Sequence, residues 1–272
     1  MTIYLRILLS ICALFGLWQP LAGEARNADL EDGIALVTSR KGGVTLTSPQ
    51  GKKRDAELHA VETLSGVEVS SGSDDYVFFS LSNGVGLGID GNSRVRFERY
   101  RQRPFPPEKE SLEYEPTLSK LVVELSEGSL SFSAERLSPL SEFVIKLPKG
   151  EVRILRASGR VRYDERGARI SIVSGIVTYD YPNEAEQDFI NGPNSVRISD
   201  QSAMLGRITE SGDIASEPSG GSTQYLVDAA HRAGDRVVFR VSSPAASIPR
   251  PVLVARPEAL QQPSPRPYRY LD

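Results

Sequence analysis

The sequence predicts an all-β protein with two non-globular appendages. Three observations carry this. Between residues 34 and 199 the dominant hydrophobic period is two. Glycine and Asn/Asp-Gly pairs interrupt that period at the short intervals expected of sandwiches or stacked strands. Proline, by contrast, gathers in residues 101–116 and 244–272. The expected architecture is a set of stacked short antiparallel strands, β-solenoid-like or a sandwich, with one short C-terminal helix and a Pro-rich tail.

The elements follow in order. Residues 1–25 read as a signal peptide: Arg6, an apolar run over 7–18 broken by Pro20, then small residues at Ala22, Gly23 and Ala25. The run is shorter than the roughly 20 residues needed to span a bilayer. An uncleaved N-terminal anchor is the alternative. Ile11 before Cys12 does not suit a lipoprotein site. Short runs at 34–38 and 43–47 open the β region. The run 76–81 leads through Asn83-Gly84, a hairpin signal, into the alternating 85–89. The triplet Asp90-Gly91-Asn92 reads as a turn into 93–98. Runs at 118–125 and 129–133 flank a turn at Ser126-Glu127-Gly128. Further runs are expected at 143–147, 151–155, 160–163, 168–173, 176–179 and 194–199. Strict alternation gives each strand one buried face and one wet face, the latter rich in Arg, Ser, Glu and Thr.

Residues 101–116 hold Pro104, Pro106, Pro107 and Pro116 beside Glu108, Glu110, Glu113 and Glu115, so they form an insertion or surface loop rather than a central strand. Residues 200–243 read as a short helix and strand extension. Ser222 or Thr223 caps the helix, which ends at Gly234, and a strand follows over 236–241. Residues 244–272 carry seven prolines and read as an extended or disordered tail.

Composition excludes several chemistries. The 272 residues include one cysteine, Cys12, and two histidines, His59 and His231. A disulfide framework and a thiolate zinc site are therefore excluded. A net charge of −3 gives no footprint for nucleic acid. His59 and His231 lack a spaced partner and read as surface residues. Ser73-Asp74-Asp75 and Asp90-Gly91-Asn92 lack the spacing of calcium loops and read as turns. The glycines of Gly84-Val85-Gly86-Leu87-Gly88 read as strand glycines, because no helix follows them to cradle a phosphate. Ser65 and Ser93 lack a base. Tyr76, Phe78, Phe79, Phe97, Tyr163 and Tyr179 read as core or cross-strand pairs before a sugar-stacking platform. No catalytic residue, metal ligand or cofactor is assigned, the binding residues are left unknown, and the protein is expected not to be an enzyme.

Several stretches resemble the FecR domain family in order. These are residues 66–84, then 88–97 with Asn92-Ser93, 125–132 around Gly128, 143–150 with Pro148-Lys149-Gly150, 170–177 around Gly175, and 189–198. One departure is Leu155 to Val161, which lacks the family's Gly-Thr-x-Phe element. The resemblance spans about 34–199. It implies a periplasmic domain of the kind that, in well-known members, follows a cytoplasmic anti-sigma segment and a membrane span and regulates iron-uptake genes. Only about six residues precede the apolar run here. An exported domain without that segment is therefore expected, in the periplasm or envelope of a Gram-negative-type cell. The expected role is an interaction or structural module with an envelope protein partner. The alternatives are FecR-type, TonB-linked signalling and a glycan-binding β protein.

Overall fold

A computed structural model describes residues 30–103, 113–182, 186–200, 206–216, 220–241 and 251–254. The signal peptide read over residues 1–25 lies outside the described residues, as do 104–112 of the insertion. The strands are β1 (Glu31–Asp32), β2 (Ile34–Lys41), β3 (Thr45–Thr47), β4 (Lys53–Asp55), β5 (Val61–Thr63), β6 (Glu68–Ser70) and β7 (Tyr76–Leu81). Next come β8 (Gly86–Gln102), β9 (Ser119–Ser133), β10 (Glu142–Leu147), β11 (Gly150–Asp164) and β12 (Gly167–Asp180). Then follow β13 (Gln187–Asn191), β14 (Asn194–Ser199), β15 (Ile208–Gly212), helix α1 (Gly220–Gly234), and the hairpin β16 (Val238–Val241) and β17 (Pro251–Val254). The chain is all-β with a single α-helix among the described residues. Part of the proline-rich tail, β17, pairs antiparallel with β16.

Strand length departs from the sequence reading. The runs 85–89 and 93–98 are one strand, β8, of 17 residues. The runs 118–125 and 129–133 are likewise one strand, β9. β11 and β12 each join two expected strands in the same way. The triplets that looked like turns are β-bulges, where the register jumps from Asp90↔Ser129 to Arg94↔Glu127. A bulge and a turn both need left-handed backbone, so glycine marks either one. Gly91 and Asn92 sit at φ 52° and 48°, and Gly128 faces them at φ 86°. A Cβ on Gly128 would lie 2.7 Å from the Asn92 carbonyl oxygen, so only glycine lets the two bulges nest. Ser93 Oγ closes the pair by accepting from Ser129 N at 2.8 Å.

The bulges bend all four long strands, so each contributes to two halves of one sheet. In the first half, β7 and β9 flank the start of β8, and the ladder continues through β11, β12, β14 and β15. In the second, β6 and β9 flank the end of β8, followed by β10, β11, β12 and β13. Pairs are antiparallel except β9–β10, which is parallel. In β9, β11 and β12 the inward positions switch parity across the bulge, from Leu125 to Leu130, Ile154 to Ala157 and Ile172 to Val177, so both halves aim one face at one core. Leu87, Ile89, Val95, Phe97, Leu125, Leu130, Phe132, Ile154, Val161, Ile170 and Val177 belong to it. Phe79 meets Phe97 edge to face at 6.2 Å, and Phe132 meets Phe143 at 5.8 Å. Each such ring contributes roughly 1.5–3 kcal/mol by leaving water.

Helix α1 lies on the opposite face of the first half, against β7, β8, β9, β11 and β12. Its apolar stripe, Leu226, Ala229, Ala230 and Ala233, packs on Tyr76 and Phe78. Gly86 makes this possible: a Cβ there would lie 1.8 Å from the Ala230 carbonyl oxygen.

Candidate functional site

The outer face of the first half-sheet holds a groove of about 1020 Å³. The β8 and β9 bulges, the β11–β12 hairpin, Arg197, Asp200 and Thr223 enclose it. Its lining includes a row of directly opposed residues on consecutive strands, Ser129, Arg162, Arg169 and Arg197, with Glu210 opposite Arg197 on the next strand. Alternation forces this arrangement. Val161, Ile170, Val196 and Ile198 point into the core, so the arginines beside them point out. Glu210 reaches Arg197 at 3.1 Å and Arg169 at 3.8 Å, and Asp164 lies 3.5 Å from Arg162.

One row inward, Arg160 is drawn beneath the surface. Its Nη2 pairs with Asp90 at 2.8 Å and donates to Ser129 Oγ at 2.8 Å. Ser129 in turn donates to Asp90 Oδ1. Arg160 Nε is buried without a hydrogen-bond partner. At the rim, Tyr163 donates to the Asp200 carboxylate, and desolvation together with that anion raises the phenol to about 12.

A second polar cluster lies at the root of the insertion. Glu115 is buried and accepts from Ser141 Oγ at 2.6 Å, Ser138 N at 3.0 Å and Gln102 Nε2 at 3.3 Å. Ser82 Oγ donates to Gln102 Oε1 at 2.8 Å and lies 2.7 Å from the Tyr100 hydroxyl. Asn83 N donates to that same hydroxyl at 3.0 Å. Burial raises Glu115 to about 7 against these donors, and burial also raises Tyr100.

The residues weighed in the sequence separate cleanly. His59 is exposed, in left-handed backbone. His231 sits on α1, with Nδ1 3.1 Å from Ser133 Oγ and Nε2 3.3 Å from Asp235. Among the described residues no three His, Cys, Asp or Glu side chains gather as a metal site. Phe79, Phe97 and Tyr179 are core residues, while Tyr76 and Phe78 lie under α1. Ser65 Oγ donates to Tyr100 O at 2.8 Å and Ser93 braces its bulge, so both serve the backbone. Gly86 and Gly88 are strand glycines, yet a helix does meet Gly86, from far along the chain rather than next in it. The reading missed the arginine row because Arg162, Arg169 and Arg197 become neighbours only through strand register.

The family model described as FecR protein matches residues 67–178. That segment is similar to the FecR domain. It runs from β6 into β12 and supplies all of the groove's lining except Arg197, Asp200 and Thr223. It also contains Glu115. No curated protein matches the chain. Two crystal structures, at 1.65 Å and 2.50 Å resolution, of a "putative anti-sigma factor" from Parabacteroides distasonis are similar. Each is 17% identical with a TM-score of 0.39, over 54% of this chain and 59% of that one. The chain thus spans less than two thirds of the length of those structures. No helix among the described residues is long and apolar enough to cross a membrane.

Proposed function

We propose that this protein is a regulatory component of FecR type, exported to the cell envelope, that works by contact with protein partners rather than by catalysis. The observation that carries the reading is the FecR match over residues 67–178. The signal-peptide pattern of residues 1–25 supports export. A rigid sheet with a polar groove suits recognition of a partner surface, and the alternating Ser and Arg positions on the open face suit an aqueous interface. On this reading the FecR domain senses an envelope partner, with TonB-linked uptake as the family's usual setting, and passes the signal to a sigma factor through a further component.

The test is a chromosomal deletion in the host followed by transcript profiling. The expected result is altered expression of a defined set of genes under one sigma factor, restored by the intact gene. Unchanged transcripts with a purely mechanical envelope defect would overturn the regulatory reading. Mass spectrometry of the mature N-terminus tests export: a start between residues 23 and 27 is expected.

A further inference from the structure

We propose that the turn at residues 134–141 is a pH-responsive latch: loss of a proton from Glu115 loosens the root of the insertion and, through Arg136, the C-terminal end of helix α1. The proposal goes beyond the regulatory reading above and stands without it.

The geometry runs through this one turn. Ala134 and Leu137 anchor it in the core. On one side it clasps the insertion root. The Glu115 carboxylate accepts from Ser138 N at 3.0 Å and Ser141 Oγ at 2.6 Å, and Glu115 N donates to Arg136 O at 2.9 Å. Arg136 Nε also donates to Glu113 O at 2.8 Å. On the other side the same guanidinium holds the end of α1: Nη1 donates to Val237 O at 2.9 Å and to Gly234 O at 3.4 Å. A cation at the last carbonyls of a helix satisfies them and favours the helix dipole. Two segments far apart in sequence, the insertion root and the end of α1, therefore hang on the stretch from Arg136 to Ser141.

Glu115 is placed to change charge inside this clasp. It is 4% exposed, and among the described residues no cation pairs with it. Neutral donors hold it, and burial outweighs them, lifting the carboxyl to about 7. Opening to water returns the group toward the ordinary carboxylate range. The value in the closed turn is the raised one. The closed turn is thus fully favoured below about pH 4.5, and opening grows easier as pH rises to 7, by up to about tenfold per unit, then levels off.

The surrounding groups single out Glu115. Tyr100 shares its face of β8 and stays protonated, because burial raises the phenol. Arg101 and Lys120 oppose each other on the other face of β8 and β9, and Arg103 follows by the same alternation. Glu31, opposite Gln102 on β1, is exposed. Glu135 accepts from Ser174 Oγ at 2.7 Å. At the helix end Arg236 donates to Thr38 O at 3.3 Å, and His231 lies 3.3 Å from Asp235 and 3.7 Å from Glu135. Histidine changes charge in the same pH range, so His231 is the rival cause that the test must separate.

Hydrogen exchange of the full mature chain, read by mass spectrometry as protection factors, tests the latch. From pH 5 to pH 8, protection over 113–119 and 134–141 is expected to fall at least about tenfold, and over 231–238 roughly threefold, while the centre of β12 holds its own. In Glu115→Gln these falls are expected to vanish. In Arg136→Gln the fall at 113–119 is expected to remain, with 231–238 weakly protected at both pH values. His231→Gln is expected to behave as wild type. Should Glu115→Gln not fold, Ser141→Ala decides, because loss of that donor disfavours the carboxylate and moves the midpoint to higher pH. The proposal is overturned by protection over 113–119 that ignores pH, by an equal fall across β12, or by a fall that persists in Glu115→Gln. It is equally overturned by an unmoved midpoint in Ser141→Ala, or by a response at 231–238 that follows His231 rather than Arg136. None of these outcomes bears on the deletion experiment, which asks only whether the chain regulates transcription.

Discussion

The outer face of the first half-sheet has two regions built on the same strands by the same alternation. Under α1 the face is Tyr76, Phe78, Gly86, Gly88, Ser131 and Ser133, dry and closely approached. Farther along the strands it becomes Arg162, Arg169 and Arg197, open and charged. One region is complementary to a segment of its own chain, the other to nothing the chain supplies among the described residues. The difference shows that a sheet face is committed to a partner residue by residue: small and aromatic side chains admit an apolar helix, and ordered like charges keep one away. The seam between the regions is buried Asp90 and Ser129 with the largely covered Arg160.

Breaking that seam has the largest expected effect. Asp90→Ala leaves the Arg160 guanidinium, only 14% exposed, without its counter-ion. Removing one partner of a buried pair typically costs about 3–5 kcal/mol. Urea unfolding of Asp90→Ala is expected to show a loss of that order. Replacing the pair together, Asp90→Leu with Arg160→Met, is expected to cost much less, because no charge is then stranded. Equal losses in the single and double variants would mean that the site matters for packing rather than charge.

The dry region is tested at Gly86. Gly86→Val drives side-chain atoms into the Ala230 carbonyl, and the strand cannot retreat because Leu87 is fixed in the core. Overpacking of this kind costs about 1–3 kcal/mol, and here the helix is the element free to move. Partial loss of the helical signal and faster proteolysis after Gly206 are expected, with the sheet retained. An unchanged helix would show that α1 tolerates a shift and that the close fit is incidental.

How much of this was legible in the sequence follows from the same physics. Period-two alternation located the strands and assigned each face, so Val161, Ile170 and Val196 could be read as inward. The Asn83-Gly84 hairpin and the helix ending at Gly234 were also readable from local chemistry. Gly91 and Gly128 read as turns in the sequence and are bulges in the structure, because left-handed backbone serves a bulge and a turn alike and only pairing tells them apart. The arginine row was invisible for a different reason. Its members are 7 and 28 residues apart, at Arg162, Arg169 and Arg197, and register is a property of the whole sheet. Glu115 looked like one more glutamate of a solvated insertion, yet it anchors the root of that insertion in the interior.

Glu115 supplies a control that lies outside both regions. Unlike Asp90, it has hydrogen-bond donors but no cation. Its carboxyl is raised from 4.5 to about 7, so between those values the native state holds a proton that the unfolded chain releases. Its contribution to stability is therefore complete below about pH 4.5, declines as pH rises through 7 and is absent above. Tyr100, the other titratable group facing it, stays neutral throughout because burial raises it. Glu115→Gln is expected to remove this slope, leaving the variant about 1–3 kcal/mol less pH-sensitive than wild type between pH 5 and 8. Chemical denaturation at both pH values measures the difference. A slope that persists in Glu115→Gln would assign it to other groups.

The smallest expected effect is the most discriminating for the open region, because its sign is opposite to the usual one. Most substitutions in a sheet destabilise it. If the contacts of Arg169, that with Glu210 at 3.8 Å among them, serve the fold, then Arg169→Gln lowers stability. If repulsion from the opposed Arg162 and Arg197 outweighs those contacts, removing the central charge relieves it. Stability then stays level or rises by a few tenths of a kcal/mol, the size of an opposed pair in a sheet. Salt separates the two cases further. At 0.1 M the screening length is about 10 Å, close to the span of the row, so added salt is expected to raise the melting temperature of the wild type more than that of Arg169→Gln. A fall of more than about 1 kcal/mol in the variant would make the row a structural brace and leave the two regions of the face different in composition but alike in purpose.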